Sequence, residues 1–109
     1  MIFDLRQDRD LEQLIEQSHD SRVFVFKHST QCAISAQAYE EFTDFAEGLR
    51  ALPCGVVLVI ENRTLSNEIA GRFGVRHQSP QALLIKDRRV VWNASHFRIT
   101  ATQLDQALS

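Results

Sequence analysis

Two short, almost uninterrupted apolar stretches, residues 22–27 and 56–60, constrain the fold of this chain more than any other feature. Both are rich in β-branched or aromatic side chains, which favours strands over helices. Strands that are apolar on both faces are typical of the middle of a sheet covered by helices. A helical pattern over residues 32–49 separates them, and such a crossover requires parallel strands and a right-handed connection. The sequence therefore predicts an α/β protein.

Amphipathic patterns and turn residues place the other elements. Leu11, Leu14 and Ile15 share one face of a predicted helix. Gly74 stands where the C-terminal cap of a later helix is expected. Residues 86–89 separate two short apolar stretches and are typical of a hairpin turn. The predicted order is edge strand 2–5, helix 8–18, strand 22–27, helix 32–49, strand 56–60, helix 62–73, strands 82–85 and 90–92, and helix 102–108.

This order is that of the thioredoxin fold, a mixed central sheet with helices on both faces. In that fold the first central strand delivers a cysteine to the next helix, and a proline precedes the strand that begins the hairpin. Cys32 and Pro80 occupy these two places. Because the chain has 109 residues and no linker or repeat, we expect a single thioredoxin-like domain over residues 1–109.

Composition and charge exclude several classes of function. A net charge of −2 and scattered arginines predict no surface for nucleic acid. The longest apolar run is far shorter than the roughly 20 residues that cross a bilayer, so no membrane partner is expected. The first six residues lack the basic and long apolar regions of a secretory signal. The sequence thus predicts a cytoplasmic protein whose two cysteines are thiols at rest.

Cys32 is the main candidate for chemistry. It stands where a helical pattern begins, and the unpaired N–H groups and positive dipole end of a helix favour the thiolate, the reactive form of the side chain. The polar residues 28–31 before it indicate access to solvent, whereas the alternative is a buried thiol packed under the helix. Ser35 occupies the place where a dithiol oxidoreductase carries its second cysteine. The site can therefore attack a disulfide but cannot resolve the product within the same motif.

The polar neighbours of Cys32 leave alternatives open. The Ser35 hydroxyl either hydrogen-bonds the thiolate, or caps the helix or bonds back to a carbonyl. Lys27 either adds positive potential near the sulfur or is a solvated residue at the end of its strand. His28 is expected to be structural rather than catalytic. Cys32 and Ser35 are the candidate catalytic residues.

Pro80 follows Ser79 immediately before an apolar strand, where a cis peptide bond suits the tight entry better than the commoner trans bond. Such a loop leaves the backbone N–H and C=O of Ser79 facing the cysteine, where they can pair with an incoming disulfide substrate as an added strand would. His77 and Gln78, on the same loop, either line the site or are simply exposed. The candidate substrate contacts are Thr30, Gln31, Ala33, Ser79 and Pro80.

Cys54 is predicted to take no part in the chemistry. It lies between Pro53 and Gly55, in a predicted turn at the end of the sheet opposite Cys32. A disulfide needs Cα atoms within about 7 Å, which this topology does not allow. Two cysteines are too few for a closed zinc site, and the histidines lack ligand spacing, so no metal is expected.

Longer segments of the chain resemble a known family. The block Phe-Gly-Val-x-His-x-Ser-Pro-Gln at residues 73–81 and the Ala-Ser-His at 94–96 are more characteristic than the cysteine motif. They are similar to the monothiol bacilliredoxins, thioredoxin-like proteins of bacteria that use bacillithiol. The family motif usually reads Cys-Pro-Ile-Ser, and Ala33 replaces that proline here. The resemblance runs from about Phe24 to Leu104 and includes the segments Thr30–Ser35, Val59–Arg63, Ile69–Gln81 and Val91–His96.

The resemblance implies a cytosolic thiol–disulfide oxidoreductase that takes bacillithiol from oxidised protein cysteines onto Cys32. A second bacillithiol, or another reductase, would regenerate the enzyme. No resident cofactor is implied: bacillithiol or a similar low-molecular-weight thiol is the co-substrate, and S-thiolated client proteins are the partners.

Two other classes of function stay open at this point. The Cys32 and Pro80 surface of a thioredoxin fold can serve as a binding module that docks a partner without electron transfer. An iron–sulfur carrier is the third class, but one thiolate per chain would have to recruit every other ligand.

Overall fold

The computed structural model describes residues 2–48 and 52–109. The helix predicted over 32–49 has Cys32 as its N-cap and runs to Glu47, and its predicted end at Leu49 lies outside the described residues. Among the described residues, no helix is long and apolar enough to cross a membrane. The elements are β1 (Ile2–Asp4), α1 (Asp8–Gln17), β2 (Val23–His28), α2 (Ala33–Glu47), β3 (Cys54–Leu58), α3 (Arg63–Phe73), β4 (Gln81–Lys86), β5 (Arg89–Ser95), a short 3₁₀ helix (His96–Arg98) and α4 (Ala101–Ala107).

Five strands form one mixed sheet in the order β1-β3-β2-β4-β5. β3 lies between β1 and β2 and is parallel to both. β4 runs antiparallel to β2 on its other side and pairs with β5 in the hairpin. The predicted α/β thioredoxin fold is therefore confirmed, with the short N-terminal strand at one edge of the sheet.

Alternation along β2 divides the core into two layers. Phe24 and Phe26 face α2, where both rings contact Phe42, at centroid distances of 5.7 and 4.8 Å. Val23 and Val25 face the other side, against the apolar residues of α1 and α3. Both pairs are fully buried, as expected for a central strand covered on both faces.

The hairpin between β4 and β5 is tighter than predicted. Its strands extend to Lys86 and Arg89, so only Asp87 and Arg88 form the turn. Both have positive φ, 51° and 64°, the pattern of the two-residue turn whose twist matches that of its strands. The Arg88 amide also donates to Ser18 Oγ at 2.9 Å, which ties the turn to the end of α1.

The start of β3 corrects a prediction. Cys54 and Gly55 were assigned to a turn because proline and glycine favour turns, but β3 begins at Cys54 and ends at Leu58. Gly55 instead allows a close approach, since a Cβ there would lie 2.6 Å from Leu14 Cδ2 and 2.8 Å from Leu5 Cγ. The glycine lets α1 and the end of β1 pack directly on the strand.

Replacing Gly55 by alanine should therefore overpack this contact and lower the free energy of unfolding by about 1–3 kcal/mol. Gly71, inside α3, is the matched control because a Cβ there meets nothing within 4 Å. Gly71→Ala should raise stability by about 0.5–1 kcal/mol, the helix preference of alanine over glycine. Urea unfolding of both variants measures the two effects, and equal stability of the two would contradict the packing argument.

Candidate active site

The candidate site lies at one end of the sheet, where three connections meet. In the register of the sheet, Lys27 of β2 is opposite Gln81 of β4, and His28 is opposite Leu58 of β3. The Val59 amide continues this pairing and donates to the His28 carbonyl at 2.9 Å. The turn that follows β2, the loop that follows β3 and the loop that precedes β4 are thus neighbours. They carry, respectively, Cys32, Glu61 and the Ser79–Pro80 pair.

Cys32 is the N-cap residue of α2. Its backbone is extended (φ −127°, ψ 124°), and its carbonyl accepts the Ala36 amide at 3.0 Å as the first bond of the helix. Its own amide donates to the Ser29 carbonyl at 3.4 Å and closes the turn after β2. The thiol is free and half-buried. The Cys32 side chain forms no capping hydrogen bond with the first N–H groups of the helix. Its position is nevertheless at the positive end of the helix dipole, which favours an anion.

Ser35 is fully buried, and its hydroxyl joins the turn to the strand end. Ser35 Oγ accepts the Ser29 amide at 2.8 Å and lies 2.8 Å from His28 Nδ1. The hydroxyl hydrogen bonds therefore go to the residues before Cys32, a pairing that differs from both alternatives considered from the sequence. A contact across a turn, between residues seven apart, leaves no periodic signal by which it could have been found.

The three candidate residues around Cys32 are all exposed: Thr30, Gln31 and Ala33. Thr30 Oγ1 donates to Glu61 Oε2 at 3.1 Å, linking the turn to the loop after β3. Glu61 also borders a cleft of about 300 Å³ at the ends of β1 and β3, lined in addition by Asp4, Leu5, Arg6, Val56, Leu58 and Asn62. Glu61 thus links the cleft to the turn that carries Cys32.

The Ser79–Pro80 peptide bond is cis. Pro80 is buried, and its carbonyl accepts the His96 amide at 3.1 Å. Ser79 is half-buried, and its Oγ has no hydrogen-bond partner among the described residues. The pair immediately precedes β4 and so lies next to the end of β2. The structure thereby brings Ser79 and Pro80 to the same edge as Cys32.

Lys27 is buried, so the interpretation of it as a solvated residue at the end of its strand is wrong. Its side chain has no exposed surface and shares the α1 and α3 face of the sheet with Val23 and Val25. Nζ lies 3.1 Å from His77 Nδ1, and Ser66 Oγ is 3.4 Å from the same nitrogen. Burial lowers the pKa of Lys27 to about 8, and burial together with the Lys27 and Arg63 charges lowers the pKa of His77.

Cys54 lies at the far end of the sheet. It is opposite Phe24, at the start of β2, whereas Cys32 follows the end of that strand. At about 3.3 Å per residue, the strand alone separates the two cysteines by more than 10 Å, beyond the reach of a disulfide. Cys54 is fully buried, and burial raises the pKa of its thiol to about 11. In the part of the chain that the structure describes, no group of three or more His, Cys, Asp or Glu could hold a metal ion.

Fold and site together define a class: thioredoxin-fold proteins with a cysteine at the start of α2. A solved structure of a candidate oxidoreductase with a thioredoxin fold is 37% identical, with a TM-score of 0.90, and the match covers 99% of this chain and 94% of that chain. Thioredoxin from Fasciola hepatica is 22% identical (TM-score 0.76; 96% and 94% covered), and that from Trypanosoma brucei brucei is 11% identical (0.80; 99% and 88%). The two thioredoxins show the fold alone.

The family model described as monothiol bacilliredoxin BrxC matches residues 3–104. The chain therefore belongs to the monothiol bacilliredoxin family. Membership, together with the 37% identical oxidoreductase-like structure, supports a thiol redox role for this protein.

The buried ammonium of Lys27 gives a testable consequence for stability. An unfolded lysine keeps its proton up to about pH 10.5, whereas the folded Lys27 loses it near pH 8. Folding at pH 7 therefore places a protonated side chain in a site that favours the neutral form. The difference corresponds to about 3 kcal/mol. Lys27→Met should raise the free energy of unfolding at pH 7 by about 2–3 kcal/mol.

The sign of the pH dependence follows from the same shift. Between about pH 8 and 10.5 the unfolded chain binds the proton that the folded chain has lost, so wild-type stability gains on that of the variant as pH rises. Urea unfolding of both proteins at pH 7, 8, 9 and 10 should show the advantage of the methionine chain shrinking. An advantage that stays constant over this range, or a methionine chain less stable at pH 7, would show that the ammonium is not the destabilising group.

Proposed function

We propose that this protein is a thiol–disulfide oxidoreductase that removes bacillithiol, or a similar low-molecular-weight thiol, from protein mixed disulfides through Cys32 alone. The observation that carries the proposal is the placement of the two cysteines. Cys32 is accessible at the start of α2, Ser35 stands one helical turn later where a second thiol would be needed, and Cys54 is buried at the other end of the sheet.

In the first step, the Cys32 thiolate attacks the small-thiol sulfur of the client mixed disulfide. A Cys32–small-thiol disulfide forms, the client disulfide breaks, and the client leaves as a thiolate that takes a proton from water. The backbone N–H groups at the start of α2 support the anionic sulfur of Cys32 before the attack.

In the second step, an external thiolate of the same small molecule attacks the adduct. A symmetric small-molecule disulfide leaves, and Cys32 returns to the thiolate, so two electrons have passed from the small thiol to the client. The co-substrate is a diffusible thiol, and no resident cofactor takes part. The cleft beside Glu61 leaves room for the polar body of that thiol next to the Cys32 turn.

Client recognition is assigned to the two connections that flank the sulfur. The exposed Thr30, Gln31 and Ala33 lie on one side of Cys32. The backbone of Ser79, held by the buried Pro80 at the entry to β4, lies on the other and can pair with an extended client segment. S-thiolated proteins of the cytoplasm are the expected partners.

The test uses a client peptide that carries bacillithiol as a mixed disulfide, followed by intact-mass spectrometry of both components. Wild type should gain the mass of one bacillithiol while the peptide loses it. Cys54→Ala is the matched control, since it removes the other thiol, and it should behave like wild type. Cys32→Ser should leave only the slow uncatalysed exchange.

Transfer by the Cys32→Ser chain would refute the mechanism. No transfer by wild type, with Cys32 still alkylated by iodoacetamide, would refute the proposal and favour the binding module. A coloured protein that loses its cluster on exposure to air would favour the iron–sulfur carrier.

A further inference from the structure

The Ser35 hydroxyl has a single hydrogen, and its two partners determine where that hydrogen points. The Ser29 amide can only donate, so Ser35 Oγ accepts this bond at 2.8 Å. His28 Nδ1, also at 2.8 Å, is the remaining partner. Burial lowers the pKa of His28, an effect that the Glu61 carboxylate opposes, and this favours the neutral ring. When the neutral ring carries its proton on Nε2, Nδ1 accepts, and the Ser35 hydrogen then points at His28.

Packing holds the His28 ring in the orientation that this bond needs. The ring stacks on Tyr39 of α2 with centroids 4.4 Å apart and an interplanar angle of 11°. Phe26, on the same face of β2, packs against it at 6.1 Å. The charged group that acts on the ring is Glu61, from the loop after β3, while Lys27 projects from the opposite face of the strand. The His28 ring is thus held in one position at the end of β2, with Nδ1 towards the Ser35 hydroxyl.

Without this acceptor, we expect the hydroxyl hydrogen to turn towards the Cys32 sulfur. Cys32 and Ser35 are the N-cap and N3 residues of α2, positions whose side chains face each other in helix capping. Side chains three apart on a helix have Cβ atoms about 5–6 Å apart, within reach of an O–H to sulfur bond after rotation about χ1. A donated hydrogen bond stabilises a thiolate, but it also makes that thiolate a weaker nucleophile.

We propose that His28 is a positioning residue that draws the Ser35 hydroxyl hydrogen away from Cys32, so that the thiolate is stabilised by the backbone of α2 alone and keeps its nucleophilicity. This inference rests on the proposed function, since it concerns the thiolate that carries out the transfer. Ser35 then serves as the link between the turn and the strand end rather than as a donor to sulfur.

The test is the pH profile of Cys32 alkylation by iodoacetamide in a matched set of variants. His28→Phe keeps a ring to stack on Tyr39 but removes the acceptor, whereas His28→Asn removes the ring but retains an acceptor near the place of Nδ1. His28→Phe should move the midpoint of the profile about one unit to lower pH. On the plateau, where the thiolate is fully formed, alkylation should slow about threefold, as expected for a one-unit change at a Brønsted slope of 0.4–0.5. His28→Asn should restore the wild-type midpoint.

The same substitution in a Ser35→Ala chain separates positioning from a general structural effect. With the hydroxyl gone, His28→Phe should no longer move the midpoint. A midpoint shift of the same size in both backgrounds, or no shift in either, would overturn the proposal. If His28→Phe does not fold, as judged by circular dichroism, a lowered midpoint in His28→Asn would overturn it equally.

Alkylation needs no client, so this result is independent of the proposed function. A Ser35-dependent shift together with absent bacillithiol transfer would contradict the proposed function and leave the role of His28 intact. Bacillithiol transfer without the midpoint shift would support the proposed function and contradict the role of His28.

Discussion

Strand β2 is the element on which the rest of the structure depends. It pairs with β3 on one side and β4 on the other, and its residues Val23 to Lys27 are buried on both faces. A slip of one residue would turn the phenylalanine rings away from α2 and bring Lys27 to face that helix, so the register is strongly determined. Because β2 cannot shift, its end delivers Cys32 to a constant position beside Glu61 and Pro80. The geometry of the candidate site therefore depends on the burial of the strand that precedes it.

Two buried polar groups at the end of β2 connect this strand to the loops around the sulfur. Lys27 contacts His77, which lies in the loop leading to Pro80, and Ser35 contacts His28 and the Ser29 amide. A buried polar group lowers the stability of a protein unless it is hydrogen-bonded. Lys27 is paired with the loop before β4, and Ser35 with the end of β2 and the turn that follows it. The loops that flank Cys32 are thus anchored from beneath by hydrogen bonds, while Thr30, Gln31 and Ala33 above them are left exposed. In this member of the monothiol bacilliredoxin family, the same sheet forms the core and supports the turn that carries Cys32.

Local patterns predicted the fold well, because the central strands, the amphipathic helices and the Gly74 cap all leave periodic or positional signals. Gly74 has the expected left-handed conformation, with φ of 64°. The turn predicted at Gly55 was wrong because the glycine is needed there for a tertiary contact. Leu5 and Leu14, which are distant in sequence, pack against it. Lys27 is the same kind of case, since its partner is fifty residues distant. The position of Cys32 at the helix start could be predicted from the sequence. The partners of the Ser35 hydroxyl could not, because these contacts form only in the folded turn.

In the proposed mechanism, one thiolate accepts a small thiol, and the chain alone cannot complete the reduction. The most direct measurement is a single turnover of reduced protein with an equimolar bacillithiol-modified client, in the absence of any reductant, followed by intact mass over hours. We expect a chain that carries one bacillithiol persistently and releases it only when free bacillithiol is added. Spontaneous loss of the adduct with a mass two hydrogens below that of the reduced chain would reveal a disulfide between Cys32 and Cys54, and would contradict the account.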